Sequence, residues 1–205
     1  METGVSSGQE VLQLRAVLRS ISPLIWRRLL VRGDTSVAQL HQVLQVAFGW
    51  QDMHLHRFEI RGREYGVHQE GGVFFDTDAH EALIGQLKLR RLERFTYGYD
   101  FGDGWVHDLR IEATSPLDPK RVYPVCIAGR RAAPPEDCGG PQAFMVNRSG
   151  YAVISGGEFP REFEDLLDGV EDEELGLLSH YHPNHFDRRA VNRRLAALAA
   201  PSQER

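Results

Sequence analysis

The sequence predicts an α+β fold: period-two alternation dominates its first half, helix-like spacing its last third, and glycine- and proline-rich turns separate the two. The expected arrangement is an N-terminal strand-strand-helix-strand unit plus an aromatic β-hairpin in one mixed or antiparallel sheet, followed by a helical C-terminal part. With 205 residues and 41% apolar content, the chain can bury a full core without a disulfide or a metal to hold it.

The elements follow in order. Val11 to Leu18 and Ile25 to Val31 alternate as strands around a Ser20-Ile21-Ser22-Pro23 turn, giving a first hairpin with Ile25, Leu29 and Val31 on one face. Asp34, Thr35 or Ser36 can cap a helix whose Val37, Leu40, Leu44, Ala47 and Phe48 recur at helical spacing, and Gly49 is placed to end it. His54, His56, Phe58 and Ile60 then alternate against Leu55, Arg57, Glu59 and Arg61 as a third strand before the Arg61-Gly62-Arg63 turn. After the short run Val73-Phe74-Phe75, Asp78-Ala79-His80-Glu81 resembles a capping box opening a short helix through Leu83, Ile84 and Leu87.

The hairpin comes next, with Phe95, Tyr97 and Tyr99 on one face of its first strand and Trp105, His107, Leu109 and Ile111 on one face of its second. Asp100 to Gly104 supply the turn between them. Six prolines between Pro116 and Pro141 predict an extended surface loop. Pro141 can start a helix, Pro160 another with Phe163, Leu166 and Leu167 inward, and Asp187 can cap a last one carrying Val191 and Leu195. The organisation expected is a disordered tail over 1–10 and a single domain over 11–200, divided into a sheet-rich part (11–115), a Pro-rich loop (116–140) and a helical part (141–200).

The 29 acids exceed the 24 bases, for a net charge of −5, so no global basic excess favours nucleic acid. Charge is uneven: Glu158 to Glu174 hold nine acids and one arginine, whereas Arg188, Arg189, Arg193 and Arg194 cluster in the last helix. The bland reading is two solvated faces that attract each other; the sharper one makes those arginines a local DNA-contacting patch. The only cysteines, Cys126 and Cys138, form no CxxC pattern and point to a reducing compartment, hence the cytoplasm. A polar N-terminus and the lack of any 18-residue apolar run predict a soluble protein with no membrane partner.

The stretch Tyr97 to Asp108 carries the densest chemistry, since it gathers aromatics, acids, glycines and a histidine on one rigid element. Asp100 and Asp103 at its tip can act as paired carboxylates, one kept protonated by the other's charge, or can simply bond backbone N–H groups as turn residues do. His107 shares a face with Trp105, which is either a core residue or an aromatic at a pocket mouth. Pro134-Pro135-Glu136-Asp137-Cys138-Gly139-Gly140 is a stiffened acidic loop running into a helix start, where Glu136 and Asp137 can cap the helix and the two glycines allow close approach. Cys138 has no basic partner in the sequence and is read as structural.

Several blocks resemble one family: Ile25-Trp26-Arg27-Arg28, Phe48-Gly49-Trp50 with His54-Leu55-His56-Arg57-Phe58, Tyr99 to His107, Tyr123-Pro124-Val125-Cys126, and Pro134 to Gly140. Together, in this order and across most of the chain, they resemble the plasmid pRiA4b ORF-3-like family. The resemblance implies a small α+β protein carried on chromosomes, plasmids and mobile elements, without an established activity. Some relatives bear the label TnpR-type transposon passenger protein. The nucleophilic serine and basic helix-turn-helix of a serine resolvase are missing here, since Ser6, Ser7, Ser20 and Ser22 lie in tail or turn. The chain also has Ala133 where members often carry a cysteine, and Ala143-Phe144 where they carry Gly-Tyr, which argues against a cysteine-based site.

Three functions follow from these residues. The first is a binding or interaction module with a cleft between the 97–108 hairpin and the 134–140 loop, in which Trp105, Asp137, Gly139 and Gly140 contact the ligand. The second is a metal-assisted hydrolase using Asp100, Asp103, His107 and Glu136 with His54 or His56. In it a divalent metal is bound by His54, His56, His107 and Asp103, because imidazole and carboxylate suit such ions. The third is a DNA-binding or recombination-associated protein acting through Arg188, Arg189, Arg193 and Arg194. The structural alternative to the second is a hydrogen-bonded core histidine at each position.

Overall fold

The computed structural model describes residues 9–68, 74–147 and 181–199. The fold is α+β, with one eight-stranded, mostly antiparallel sheet. Its strands are β1 (Glu10–Leu18), β2 (Trp26–Arg32), β3 (His56–Ile60), β4 (Arg63–Gly66), β5 (Thr77–Asp78), β6 (Arg94–Tyr99), β7 (Trp105–Pro116) and β8 (Val125–Arg130), in the spatial order β5-β4-β3-β6-β7-β1-β2-β8. β1 begins at Glu10, inside the segment expected to be tail.

Helix α1 (Val37–Phe48) forms where its spacing and caps predict. Ser36 accepts from the Gln39 N–H while the Gln39 side chain accepts from the Ser36 N–H, and Gly49 ends the helix at φ +84°. The helix covers one sheet face with Leu40, Leu44 and Phe48, all part of a core continuous with Leu14, Leu29, Phe58, Tyr97, Leu109 and Ile111. The other face is polar: Glu112 gathers Arg28 at 2.5 Å and Gln13 at 2.8 Å, and the Arg28 guanidinium holds its carboxyl down at about 2. A sheet with one packed and one solvated face produces the alternation legible in β1, β6 and β7.

Two elements differ from expectation. Residues 79–87 form turns instead of a short helix, because the carbonyls of Ala79 and Ala82 accept the N–H groups of Ala38 and Val37, so they satisfy the exposed start of α1. Within the supposed Pro-rich loop, β8 pairs antiparallel with β2, filling an edge that would otherwise stay open. The outer edge of β8 is closed in turn by the Arg188–Ala199 helix. Its Asn192 side chain gives to the Cys126 carbonyl (2.9 Å) and accepts from the Cys126 N–H (2.7 Å), as a neighbouring strand would. Asp187 caps this helix by accepting from the Ala190 N–H, as expected. Helix also runs over 140–147, starting at Gly140. The helix expected after Pro160 and the acidic run 158–174 lie outside the described residues.

Arg27 is buried on the core face of β2, where alternation places an apolar residue. Its Nε donates to Ala47 O at the C-terminal end of α1 and its Nη1 to the carbonyls of Trp26 and Arg130, with the guanidinium 3.9 Å from the Phe186 ring centroid. Burial lowers its pKa to about 10, so it keeps its charge and ties helix to sheet.

Candidate functional site

The sheet register determines which side chains meet. His56 pairs with Tyr99 and Tyr99 with Trp105; one step along, Phe58 pairs with Tyr97 and Tyr97 with His107. Both rows face α1. His107 is therefore fully buried, edge-on to Phe48 (4.4 Å) and Trp50 (5.2 Å), and burial drives its pKa to about 3. It is a neutral core residue, and it is not among the residues that cluster with His54 or with His41. Trp105 is 1% exposed and packs against Trp50, the two rings tilted 43° to each other.

The segment 50–55 between α1 and β3 is held from two sides. On the α1 side, the Asp52 N–H donates to Gln45 Oε1, which turns the Gln45 amide nitrogen toward Tyr97 Oη (2.8 Å). Tyr97 Oη, already accepting there, gives its proton to His41 Nδ1 (2.7 Å), which leaves His41 Nε2 to donate to Asp52 Oδ1 (2.6 Å). The hydrogen bonds close into a ring, assigning the His41 tautomer. On the other side, Tyr99 Oη accepts from the Met53 N–H and donates to Glu136 Oε1 (2.5 Å), while Glu136 Oε2 accepts from the Gln51 N–H and Trp50 Nε1 donates to Pro134 O. Glu136 is thus an anchor for this segment and for Tyr99, whose pKa rises through burial and the adjacent carboxylate.

The hairpin tip and the 134–140 loop are in contact at Gly140. At Gly140 an added Cβ would lie 2.2 Å from Asp103 O, so only glycine permits the contact. Gly139 and Gly140, at φ +82° and +79°, shape the loop and its contact with the hairpin. Asp103 keeps one buried carboxylate oxygen without a hydrogen bond, but it is not among the residues that cluster with His54. Beside it, burial and the Asp103 charge push the Cys138 thiol up to about 11, which keeps it protonated.

This packing brings together His54, Asp100 and Asp137, from three separate parts of the chain. One ligand atom from each lies within 4.8 Å of the others. Asp100 Oδ1 accepts from the Gly102 and Asp103 N–H groups, as turn chemistry expects, and that leaves Oδ2 facing His54 Nε2 at 3.7 Å. Asp137 Oδ1 stands 3.0 Å from the same nitrogen. His54 Nε2 is buried yet has no hydrogen bond.

A second grouping, His41, Asp52 and His56, is equally compact. It is a poor metal site. The two imidazoles stack 3.4 Å apart and 5° from parallel, so a shared ion would sit about 1.7 Å out of at least one ring plane, against a metal-nitrogen bond of about 2.1 Å. Both nitrogens of His41 are also already engaged. Burial and the neighbouring His41 lower the His56 pKa to about 3. Sequence reasoning passed over His41, although a histidine and a glutamine four residues apart on the apolar face of α1 were a legible sign of a buried polar network.

His41, Asp52, His54 and His56 open onto a cleft of about 480 Å³, whose walls also include Ala38, Leu55, Val67 and Phe75. The four arginines of the Arg188–Ala199 helix lie elsewhere. At 3.6 residues per turn they spread over about 240° of its circumference, and Arg188 is engaged with Ile127 O. No helix among the described residues is long and apolar enough to cross a membrane.

Comparison with known proteins matches residues 10–190 to the family described as plasmid pRiA4b ORF-3-like protein. The chain is 34% identical over 136 residues to the uncharacterized protein y4hQ of Sinorhizobium fredii, covering 66% of this chain and 70% of that one. It is also similar to the crystal structure of MM3350, a protein of unknown function from Methanosarcina mazei Go1. That likeness has a TM-score of 0.71 and 29% identity and covers 89% of this chain and 97% of the other.

Proposed function

The chain belongs to the plasmid pRiA4b ORF-3-like family, and on that premise we propose that it is a metal-dependent binding module in which His54, Asp100 and Asp137 hold a divalent ion beside the cleft. The observation that carries this reading is His54 Nε2: a buried imidazole nitrogen without a hydrogen bond, faced by oxygens of two carboxylates. One imidazole and two carboxylates suit zinc, and three protein ligands leave a coordination position for water or for a ligand. The hydrogen bonds from Gly102 and Asp103 that fix Asp100 supply the outer support such sites need.

The test is a calorimetric zinc titration of the full chain, purified without a histidine tag, with metal content measured in parallel. One zinc per chain is expected, with binding lost in His54→Ala and at least tenfold weaker in Asp137→Asn. No stoichiometric zinc, or unchanged binding in both variants, would overturn the proposal.

A further inference from the structure

We infer that the polar face of the sheet, on the side away from α1 and the cleft, binds single-stranded nucleic acid along a row of four arginines. The inference rests on neither the metal nor the cleft.

Strand register builds the row. Arg94 pairs with Arg110, Arg110 with Arg15 and Arg15 with Arg28, so four arginines stand directly opposite one another across β6, β7, β1 and β2. At about 4.8 Å per strand the row spans about 14 Å. Leu109 and Ile111, which flank Arg110 along β7, are buried in the core, so Arg110 and its three partners point the other way. Like charges directly opposite one another oppose strand pairing, so the sheet forms in spite of this row.

Among the described residues a single acid answers the four charges. Glu112 takes Arg28 at 2.5 Å and Arg110 at 3.4 Å, whereas Arg15 and Arg94 have no ion pair among the described residues. Arg91 adds a further positive charge at the border, where its Nε donates to Glu112 O (3.2 Å). The charges are reachable: Arg94 is exposed, and the Arg28 and Arg110 side chains are 32% and 31% exposed. In half-buried Arg15 only Nε is enclosed, which leaves the two terminal nitrogens open to a ligand.

A line of fixed positive charges fits an extended chain of repeated negative charge. Trp26 narrows the class. It lies two residues before Arg28 on the same face, partly exposed, with its ring centroid 5.2 Å from Arg15 Cζ and 5.4 Å from Arg28 Cζ. An aromatic ring among guanidinium groups can stack a base while the arginines hold the phosphates, and an acidic peptide gives that ring nothing to stack on. A duplex keeps its base faces inside its own stack, so the partner is an unpaired strand. With a net charge of −5 on the whole chain, the attraction is confined to this patch.

The probe is a fluorescein-labelled thymidine oligonucleotide of about twelve residues, titrated with the full chain in EDTA and followed by anisotropy between about 25 and 200 mM NaCl. Four phosphate contacts should give log affinity against log salt a slope of about −3, and Arg15→Gln with Arg94→Gln should halve it. That double variant should unfold at no lower temperature than the natural sequence, because it removes like-charge pairs. Trp26→Leu should weaken binding about tenfold at every salt concentration while keeping the slope, and a duplex of equal length or polyglutamate should bind about tenfold more weakly than the single strand. Absence of binding at the lowest salt, a slope unchanged in the double variant, no effect of Trp26→Leu, or equal binding of duplex or polyglutamate would each overturn the inference. So would a halved slope in Arg189→Gln with Arg193→Gln, which would move the contact to the last helix. Because EDTA is present throughout, this titration and the zinc titration fail independently.

Discussion

Tyr97 gives its hydroxyl proton to His41 Nδ1 across 2.7 Å, joining the centre of the sheet to the buried face of α1. The same oxygen accepts from Gln45, so one hydroxyl serves two buried groups. The closed ring through Asp52 fixes the segment that carries His54, which makes placement of the candidate metal ligand a consequence of core hydrogen bonding.

Tyr97→Phe should therefore cost about 1–3 kcal/mol, because His41 and Gln45 each lose a buried partner. Urea denaturation at constant m-value measures this, and zinc affinity should fall with it. A change below about 0.5 kcal/mol, the range of an ordinary surface substitution, would remove the ring as a structural element.

Two glycines with similar backbone angles should respond differently to alanine. Gly49, at φ +84°, has open space around an added Cβ, so Gly49→Ala should cost only about 1 kcal/mol of backbone strain. Gly140→Ala meets Asp103 O at 2.2 Å as well and should cost at least about twice as much. Thermal unfolding of the two variants decides it, and equal losses would refute the packing of loop on hairpin.

Acid should destabilise the fold well before the carboxylates titrate. His107 has a folded pKa of about 3 against an ordinary value of 6.5, so below pH 6.5 the unfolded chain takes up a proton that the folded chain refuses. Its contribution is complete above pH 6.5 and declines as pH falls toward 3, by up to about 2 kcal/mol between pH 6.5 and 5. Urea midpoints across that window should fall less steeply in His107→Phe than in the natural sequence. Parallel slopes would mean the ring is not held neutral.

Asn192→Ala removes both hydrogen bonds to Cys126 and uncovers the outer edge of β8. A loss of about 1–2 kcal/mol and increased self-association are expected, measured by urea denaturation and light scattering. An unchanged scattering profile with normal stability would show that the rest of the helix suffices to guard the edge.

Sequence alone determined the α+β class, both hairpins, α1 with its capping serine and terminal glycine, and the turn role of Asp100. Each of these is written in local period or local turn chemistry: which face a side chain takes follows from its own neighbours. Tertiary structure decided the rest. The strand order, in which β3 lies beside β6 and β1 beside β7, buried His107, and the fold of the 134–140 loop onto the hairpin delivered Asp137 to His54 while turning Glu136 to Tyr99. Periodicity reports a face but not the element across from it. A site assembled from residues 54, 100 and 137 therefore exists only once the sheet has closed.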